Sequence, residues 1–574
     1  MKDYKIAWSF LNNKNKRKFY IIILLFIILS LLEIISIGAV IPFTAAIFSP
    51  DTISSIKFLK DFSGYLKENQ DSLILIFCFL FFIIFLLKNI FLLFVQRFIN
   101  YFISDVKVLV GKKLLTKFLK QEYLFFMSSK QGKLITILNS ETQILGDNYI
   151  QSLMVLISEI LILIGILTLI ILTDNAKGLL IVIPIAFLVY LFVKKINKKI
   201  KSWSNKRVIL AEDLSTLNQR IFLGIRDIYF SANIVGLIDN YSLLNKGKND
   251  LEVKNNVVQL IPRAILEITG LSVILGYILY LTSIDINKDL IISNLTFYFL
   301  IAYRSIPSFN KILIQYQRIK YSKNSIKNID SILSLKDTRD IELKNDIKFT
   351  LKDKIVIKNI SFGYNKLNSI SNVNFEIKKG ELIGIYGESG SGKSTLLNIL
   401  TLLIRPDKGN IYVDQKNLEE LSEIKNFQTL ITFISQDTFL LEDSIKNNIV
   451  FETTKKIDEV KLEYAIKFSE VDKFLDKLPE GIDTLVGSNS RKISSGQRQR
   501  IALARAIYNL NEILVLDEAT NALDLNTEMN IMRNIKSLKG KKTIIIVSHN
   551  KENLKDCDRV YKINKGSVIQ DEKK

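Results

Sequence analysis

Cysteine and histidine are almost absent from this chain of 574 residues, which has two cysteines and one histidine. Cys78 lies in an apolar run, whereas Cys557 lies in the more polar second half of the chain. This distribution excludes a disulfide framework. It is typical of a protein whose soluble part stays in a reducing cytoplasm.

The sequence also shows no cleavable signal peptide. The apolar stretch that begins at Phe19 is longer than the core of a signal peptide, and no small-residue cleavage site follows it. We therefore expect this stretch to stay in the mature protein as a membrane anchor.

Nucleic-acid-binding motifs are absent, although the formal net charge is +21. The basic residues instead flank apolar runs, as lysine and arginine do on the cytoplasmic side of a membrane protein. The mean hydropathy of +0.22 is high for a soluble protein of this charge. We therefore expect a membrane partner and no nucleic acid.

Long apolar runs fill the first half of the chain. Crossing the hydrocarbon core takes about 20 residues, and six stretches approach or exceed that length: residues 19–48, 72–94, 149–173, 178–193, 257–282 and 290–314. Composition changes near residue 335. The sequence thus predicts an all-α six-helix transmembrane domain over residues 1–335 and a soluble α/β domain over residues 336–574.

The distribution of basic residues predicts the orientation of these helices. Lysines and arginines precede the first apolar stretch and follow the second and fourth, whereas the short loops 174–177 and 285–289 carry little positive charge. The positive-inside rule then places both termini in the cytoplasm of a multi-pass protein. We expect the inner membrane of a bacterium.

Two long loops separate spans 2 and 3 and spans 4 and 5. Their helical periodicity predicts long cytoplasmic extensions of the membrane helices. Residues 122–132 and 223–231 lie at the tips and are candidate coupling helices, with ordinary connections as the alternative. Residues 52–69 have one-sided helical spacing, which predicts an amphipathic helix on the outer membrane surface or a loop helix packed on protein.

The strongest motif is a glycine-rich loop between a strand-like and a helical run. Glycines let such a loop surround a phosphate with backbone N–H groups, the lysine reaches the β- and γ-phosphates, and the following serine holds Mg²⁺. These positions are Gly387, Glu388, Ser389, Gly390, Ser391, Gly392, Lys393, Ser394 and Thr395.

Two carboxylates end the apolar run at residues 513–516. Such a strand delivers acidic side chains to the sheet edge where a nucleotide binds. Asp517 suits the Mg²⁺ shell, and Glu518 suits polarisation of the attacking water. The loop and the acidic pair together predict an ATPase.

The second half of the chain resembles the ATP-binding-cassette family throughout. Ser494, Gly496 and Gln497 resemble its signature motif, Gln436 resembles the glutamine that senses Mg²⁺, and Asp524 belongs to a segment similar to its D-loop. Tyr364 resembles the aromatic residue that stacks on adenine, although an aromatic at a strand edge is the alternative. His549 occupies the position of the family's switch histidine, near the γ-phosphate.

The sequence departs from the family pattern at three places. Ser495 stands where the signature usually has glycine, Asn521 stands where the D-loop usually has serine, and residues 484–488 lack an acidic residue common in exporters. Because Lys393, Asp517, Glu518 and His549 are present, ATP hydrolysis is still expected.

The resemblance implies a homodimer. In this family the phosphate loop of one subunit faces the signature motif of the other, with ATP and Mg²⁺ between them. ATP occupancy and hydrolysis would then drive alternating access of the membrane domain.

Charged residues within apolar spans are costly and are usually functional. Here they are Glu33, Lys88, Glu159, Arg263, Glu267 and Arg304. For Arg263 and Glu267, four residues apart, the alternative explanation is an ion pair. For Lys88, the alternative is that its side chain extends to the membrane–water interface.

The sequences around Arg263 and Arg304 are similar to a narrower family, the flippase that moves lipid-linked oligosaccharide for bacterial protein N-glycosylation. Resemblance extends to residues 32–43. It implies that Lys88, Arg263 and Arg304 contact an undecaprenyl-diphosphate-linked glycan, with Lys88 where that family has arginine. Alternatives are an exporter of drugs, peptides or simple lipids, and a nucleotide-gated channel or non-transporting regulator.

Overall fold

The computed structural model describes residues 2–38, 70–172, 179–231, 233–282, 288–339, 349–364, 367–451, 456–487, 492–549 and 551–571. It contains two compact units. The first comprises Met1–Phe118 and Ser128–Lys336, and the second comprises Leu119–Met127 and Asp337–Lys574. The boundary between residues 335 and 336 stays a prediction, and the short segment Leu119–Met127 belongs by its contacts to the second unit.

The first unit is helical. The helices up to residue 333 are α1 (Lys2–Ser9), α2 (Asn13–Gly38), α3 (Gln70–Leu119), α4 (Tyr123–Ser128), α5 (Gln131–Thr136), α6 (Thr142–Ile144), α7 (Gln151–Leu172), α8 (Leu179–Leu223), α9 (Ile225–Tyr229), α10 (Ile234–Thr282), α11 (Lys288–Tyr321) and α12 (Lys323–Leu333). All but α4 belong mainly to the first unit. Two π-helical segments, Ile137–Glu141 and Leu145–Ile150, flank α6.

Each predicted span overlaps one long helix of this unit. Among the described residues, three segments are long and apolar enough to cross a membrane: Asn13–Ser36, Cys78–Leu119 and Gln131–Thr168. The 50 residues of α3 measure about 75 Å at 1.5 Å per residue, far more than the hydrocarbon core. Part of α3 therefore extends beyond a bilayer. The number of spans and the position of the termini stay predictions.

Close contacts join the helical extensions of this unit. A Cβ at Gly132 would lie 2.7 Å from the backbone nitrogen of Thr216, so only glycine allows this approach. Arg207 and Glu141 form a buried ion pair with an N–O distance of 3.3 Å, and Arg207 also donates to the Ser325 hydroxyl. These contacts hold α8, α12 and a π-helical segment together.

The two candidate coupling segments differ in their surroundings. In the second unit, Leu124 of α4 packs against a hydrophobic core, and the Glu122 carboxylate lies 3.5 Å from the Arg405 guanidinium. In the first unit, Tyr229 and Phe230 at the end of α9 are exposed. Coupling stays a prediction for both. Residues 52–69, 41–43 and 174–177 lie outside the described part of the chain.

The second unit contains two main sheets. The strands are β1 (Lys354–Tyr364), β2 (Leu367–Lys378), β3 (Leu382–Gly387), β4 (Lys408–Val413), β5 (Lys416–Asn417), β6 (Ile431–Ile434), β7 (Asp443–Ser444), β8 (Leu485–Val486), β9 (Ile513–Asp517), β10 (Thr543–Val547), β11 (Arg559–Asn564) and β12 (Ser567–Asp571). One sheet has the order β12-β11-β3-β10-β9-β6, the other has the order β2-β1-β4-β5, and β7 pairs with β8.

The remaining helices of this unit pack around the sheets. They are α13 (Lys393–Leu400), α14 (Leu421–Gln428), α15 (Ile445–Val450), α16 (Glu459–Phe468), α17 (Asp472–Leu475), α18 (Ser495–Tyr508) and α19 (Leu525–Lys536). Short 3₁₀ segments occur at Gly481–Asp483 and Lys551–Leu554.

The central strands explain where the site forms. Every residue of β9 and β10 is buried, as expected for parallel strands covered on both faces. Val547 pairs with Asp517 and with Ile385, so β3, β9 and β10 end at the same edge of the sheet. The predicted order of a helical part followed by an α/β part is confirmed.

Candidate functional site

The glycine-rich loop connects β3 to α13. Gly390 and Gly392 have φ angles of +76° and +107°, which favour glycine. A Cβ at Gly392 would also lie 2.9 Å from the carbonyl oxygen of Ser369. Lys393 is buried, and its Nζ donates to the carbonyls of Gly387 and Glu388 at 2.9 and 3.1 Å. The loop therefore has the form that a phosphate-binding turn requires.

A cleft of about 530 Å³ opens beside this loop. It brings together Tyr364, Gln436, Glu518 and His549 with the loop residues 389–395. Ser369, Lys565 and Gly566 also line it, and sequence reasoning missed all three. A basic residue beside a glycine at a strand turn is too common a pattern to have identified Lys565.

The side chain of Tyr364 is held by a neighbouring aromatic ring. Phe362 packs edge-to-face against it, with ring centroids 4.9 Å apart. Tyr364 thus presents an aromatic surface at the cleft.

The carboxylate of Glu518 has three polar side chains around it. Glu518 is 5% exposed, and its φ of +52° lies in the left-handed region that most residues avoid. Its Oε2 accepts hydrogen bonds from Gln436 Nε2 at 2.9 Å and from Asn521 Nδ2 at 3.0 Å, and its Oε1 lies 2.6 Å from His549 Nε2. Residues up to 82 positions apart in sequence thus meet on one carboxylate.

Asp517 offers a place for a cation. Its Oδ1 is buried and has no hydrogen-bond partner among the described residues. Burial and the adjacent Glu518 carboxylate raise the pKa of Asp517, while a hydrogen bond with the Ser394 side chain opposes that rise. A buried, unpartnered carboxylate oxygen beside a serine hydroxyl fits Mg²⁺, which prefers oxygen ligands.

The predicted signature residues lie on a different part of the unit. Ser494 caps α18, and its hydroxyl accepts from Gln497 N at 3.2 Å while Gln497 Oε1 accepts from Ser494 N at 2.7 Å. A Cβ at Gly496 would lie 2.9 Å from the carbonyl oxygen of Ala522. Asp524 caps α19, where its carboxylate accepts a hydrogen bond from the backbone nitrogen of Thr527 at 3.1 Å. This hydrogen bond lowers the pKa of Asp524. Ser494, Gly496, Gln497 and Asp524 are not part of the described lining of the cleft.

The charged residues of the membrane helices are paired in the first unit. Arg304 of α11 hydrogen-bonds Glu33 of α2, and Lys88 of α3 lies 3.4 Å from the same carboxylate. The Glu33 side chain is 6% exposed. Arg304 therefore has an acidic partner 271 positions away, which sequence proximity could not reveal.

Two further ion pairs complete this set. Arg263 Nε donates to Glu267 Oε1 at 2.8 Å on the exposed side of α10, as the alternative explanation required. Glu159 is buried and accepts from Ser308 and Lys311, both at 2.7 Å. Lys88 also lies 4.4 Å from the centre of the Phe85 ring. In the described structure, Lys88, Arg263 and Arg304 are thus all neutralised, at least in part, by carboxylates of the same chain.

Two family models match this chain. The model described as "ABC transporter transmembrane region" matches residues 19–303, and the model described as "ABC transporter" matches residues 370–521. Both the membrane half and the nucleotide-binding half are therefore recognised.

Three similar proteins have the same name, and two of them match most of the chain. An "ATP-dependent lipid A-core flippase" of Aliivibrio fischeri is 25% identical over 473 residues, which are 81% of this chain and 80% of that protein. The protein of the same name from Wigglesworthia glossinidia brevipalpis is 28% identical over 495 residues, 82% and 81% of the two chains. The one from Blochmanniella floridana is 34% identical over 269 residues, 46% and 45% of the two chains.

A solved structure shares the fold of the whole chain. A "bacterial Atm1-family ABC exporter with ATP bound" superposes with a TM-score of 0.79, covering 97% of this chain and 95% of that one at 18% sequence identity. At this identity the likeness concerns the fold alone.

Proposed function

The chain belongs to the ABC transporter family, and from that premise we propose that it is a homodimeric flippase for a lipid whose head group carries both phosphate and sugar. ABC exporters hydrolyse ATP and couple that hydrolysis to transport across a membrane, so this chain is an ATP-dependent exporter. Beyond this activity, the proposal gives the roles of individual residues, the assembly of the subunits and the class of substrate.

Geometry and chemistry support the proposed roles at the ATP site. Residues 387–395 bind the phosphates, with Lys393 as their cationic partner, and Tyr364 offers its ring to the adenine. Glu518 polarises the attacking water, and His549, beside it at 2.6 Å, contacts the γ-phosphate.

Ser394 and Asp517 would hold Mg²⁺, and Gln436 would stand beside it. When bound, the ion neutralises charge on the β- and γ-phosphates. The unpartnered Asp517 Oδ1 is the observation that supports this assignment.

A second copy of the chain completes the site. The cleft lacks Ser494, Gly496 and Gln497 among its described lining residues, and these residues lie at the start of α18, where a helix N-terminus favours an anion. We propose that this face of one subunit covers the nucleotide of its partner. ATP would then close the two motors, and hydrolysis would reset them.

The observation that carries the substrate class is the cluster of Lys88, Glu33 and Arg304. Two cations share one carboxylate among apolar helices, so the cluster has a net positive charge. Excess charge in such surroundings is expensive and calls for an anion. A phosphate or diphosphate of a lipid head group supplies that anion, while its acyl or prenyl tails remain in the bilayer.

Two substrates have this chemistry. Resemblance around Arg263 and Arg304 favours an undecaprenyl-diphosphate-linked oligosaccharide, whereas the relatives from Aliivibrio fischeri and Wigglesworthia glossinidia brevipalpis are lipid A-core flippases. Both substrates combine phosphate with sugar, and transport experiments separate them. The transporter is proposed to lie in the inner membrane of a bacterium.

The test is ATP-dependent translocation by the purified chain in lipid vesicles. We expect movement of one of the two glycolipids, and loss of that movement in Glu518→Gln, which should bind ATP but hydrolyse it about 100-fold more slowly or worse. Arg304→Ala should stop translocation while most ATPase activity remains. Lys248→Ala, which removes a partly exposed ion pair of α10 that has no proposed role in substrate binding, is the matched comparison for the buried cluster.

Other results would identify the alternatives. Translocation of drugs, peptides or simple lipids with neither glycolipid moved would replace the substrate proposal. ATP-gated ion flux without glycolipid movement would indicate a channel. ATP turnover by Glu518→Gln at the wild-type rate would remove Glu518 from its proposed role.

A further inference from the structure

Asn521 donates to the carboxylate proposed to polarise the attacking water. Its Nδ2 lies 3.0 Å from Glu518 Oε2, and its backbone nitrogen donates to the Glu518 carbonyl oxygen at 3.4 Å. This is the position where the sequence has asparagine in place of the usual serine of the D-loop. A serine hydroxyl is attached directly to Cβ and has a shorter reach than the asparagine amide.

The two oxygens of Glu518 have different partners. Oε2 accepts from both Gln436 and Asn521, whereas Oε1 faces His549. Two donors on one oxygen fix the plane of a carboxylate more firmly than one donor does. Because a left-handed φ is strained for a residue other than glycine, the Glu518 backbone is itself held in place by its surroundings.

The segment that carries Asn521 is anchored to the signature helix. The backbone nitrogen of Ala522 donates to Gln499 Oε1 of α18 at 3.0 Å, and Gly496 packs against the Ala522 carbonyl. One short segment therefore joins the start of α18 to the Glu518 carboxylate within the same subunit.

We propose that Asn521 is a positioning residue for ATP hydrolysis, which orients Glu518 and ties that orientation to the signature helix of its own subunit. The proposal rests on the proposed ATP-site roles of Glu518 and Gln436. Asn521 acts through Glu518 and not by contact with the nucleotide, so its loss should affect the chemical step more than ATP binding.

The experiment compares ATPase kinetics of full-length variants in detergent. Asn521→Ala should lower kcat about tenfold, the effect of losing one hydrogen bond to a charged group, while KM and the affinity for a fluorescent ATP analogue change less than about twofold. Asn521→Asp is nearly isosteric, but it replaces a donor by a second negative charge. It should lower kcat further, by roughly 100-fold.

Thr520→Val is the matched control. The Thr520 hydroxyl donates to Glu528 Oε1 at 2.8 Å, so this change removes a hydrogen bond of the same segment without touching Glu518. We expect kcat to stay within about twofold of the wild type. An equal loss in Thr520→Val and Asn521→Ala would mean that the segment matters only for local folding, and would overturn the proposal.

A double-mutant cycle with Gln436→Ala tests whether Gln436 and Asn521 act through the same oxygen of Glu518. Because both amides donate to Oε2, the losses in kcat should be non-additive when the two changes are combined. Strictly additive losses, or an Asn521→Ala variant with the wild-type kcat, would rule out the positioning role. Failure of the proposed function is a different result, in which Glu518→Gln itself retains full ATPase activity.

Discussion

The two units of this chain use charged side chains in opposite ways. In the nucleotide-binding unit, the carboxylate of Glu518 follows the end of a strand in a cleft, where it accepts from Gln436 and Asn521 and lies beside His549. In the helical unit, Glu33 and Glu159 are buried between helices and neutralise cations. The first arrangement gathers polar groups around one carboxylate in a cleft, whereas in the second a carboxylate offsets part of the positive charge that an apolar environment makes costly.

This difference between the units shows which contacts a sequence motif can predict. The phosphate-loop residues are neighbours in sequence and remain neighbours in space, because a strand, a tight turn and a helix follow one another without interruption. Apart from Arg263 and Glu267, which pair within one helix, the membrane charges have no such local frame. Arg304 is an isolated cation in the sequence, yet Glu33 of another helix hydrogen-bonds to it.

The largest effect is expected at the phosphate loop. Lys393→Ala removes the buried cation of the cleft, and it should lower ATPase activity by at least about 100-fold because charge developing on the phosphates loses a fixed partner. Steady-state phosphate release measures this. Lys565→Ala changes a cation at the edge of the same cleft and should have a much smaller effect. Comparable losses in the two variants would contradict the central place given to Lys393.

A large effect on stability is expected at Glu33. Glu33→Gln leaves Lys88 and Arg304 without a charged partner in apolar surroundings, which should destabilise the helical unit by about 3 kcal/mol. Thermal unfolding of the detergent-solubilised protein measures this change.

Glu267→Gln is the control for Glu33→Gln, because it breaks an ion pair of α10 whose two side chains are both more than half exposed. No measurable loss of stability is expected there. Equal destabilisation by the two variants would remove the distinction between buried and exposed pairs within the helical unit.

The smallest effect compares two helix caps of the nucleotide-binding unit. Ser494 caps α18 and Asp458 caps α16, with hydroxyl or carboxylate oxygens 3.2 and 3.1 Å from the backbone nitrogens they accept from. Replacing either by alanine should cost about 1 kcal/mol of stability. Only Ser494→Ala should also lower ATPase activity, because its helix start is proposed to cover the partner's nucleotide. Unchanged ATPase in both variants would leave Ser494 with a structural role alone.

Much of the nucleotide-binding unit could be predicted from its sequence. The glycines at 390 and 392, the apolar run of β9 and the lone His549 each indicate where the cleft forms, since strand ends and turns are local features. Asn521 stands out in the sequence only as a departure from a pattern. Its hydrogen bond to Glu518, three residues earlier, depends on the turn that follows β9, and the departure from the pattern did not indicate that turn.

The helical unit could be predicted less completely. Apolar length indicates its long helices, but it does not say which helices pack together. Periodicity also does not reveal the π-helical segments Ile137–Glu141 and Leu145–Ile150, because a single extra residue per turn is hidden within a helical pattern.

By itself the sequence determined the order of the two domains, the phosphate loop and the chemistry of the acidic strand end, because each of these depends on residues adjacent along the chain. Tertiary structure alone decided that Gln436 and His549 meet on Glu518, and that Glu33 pairs with both Lys88 and Arg304. Such contacts depend on the packing of distant strands and helices, and no spacing in the sequence encodes a distance between elements that far apart.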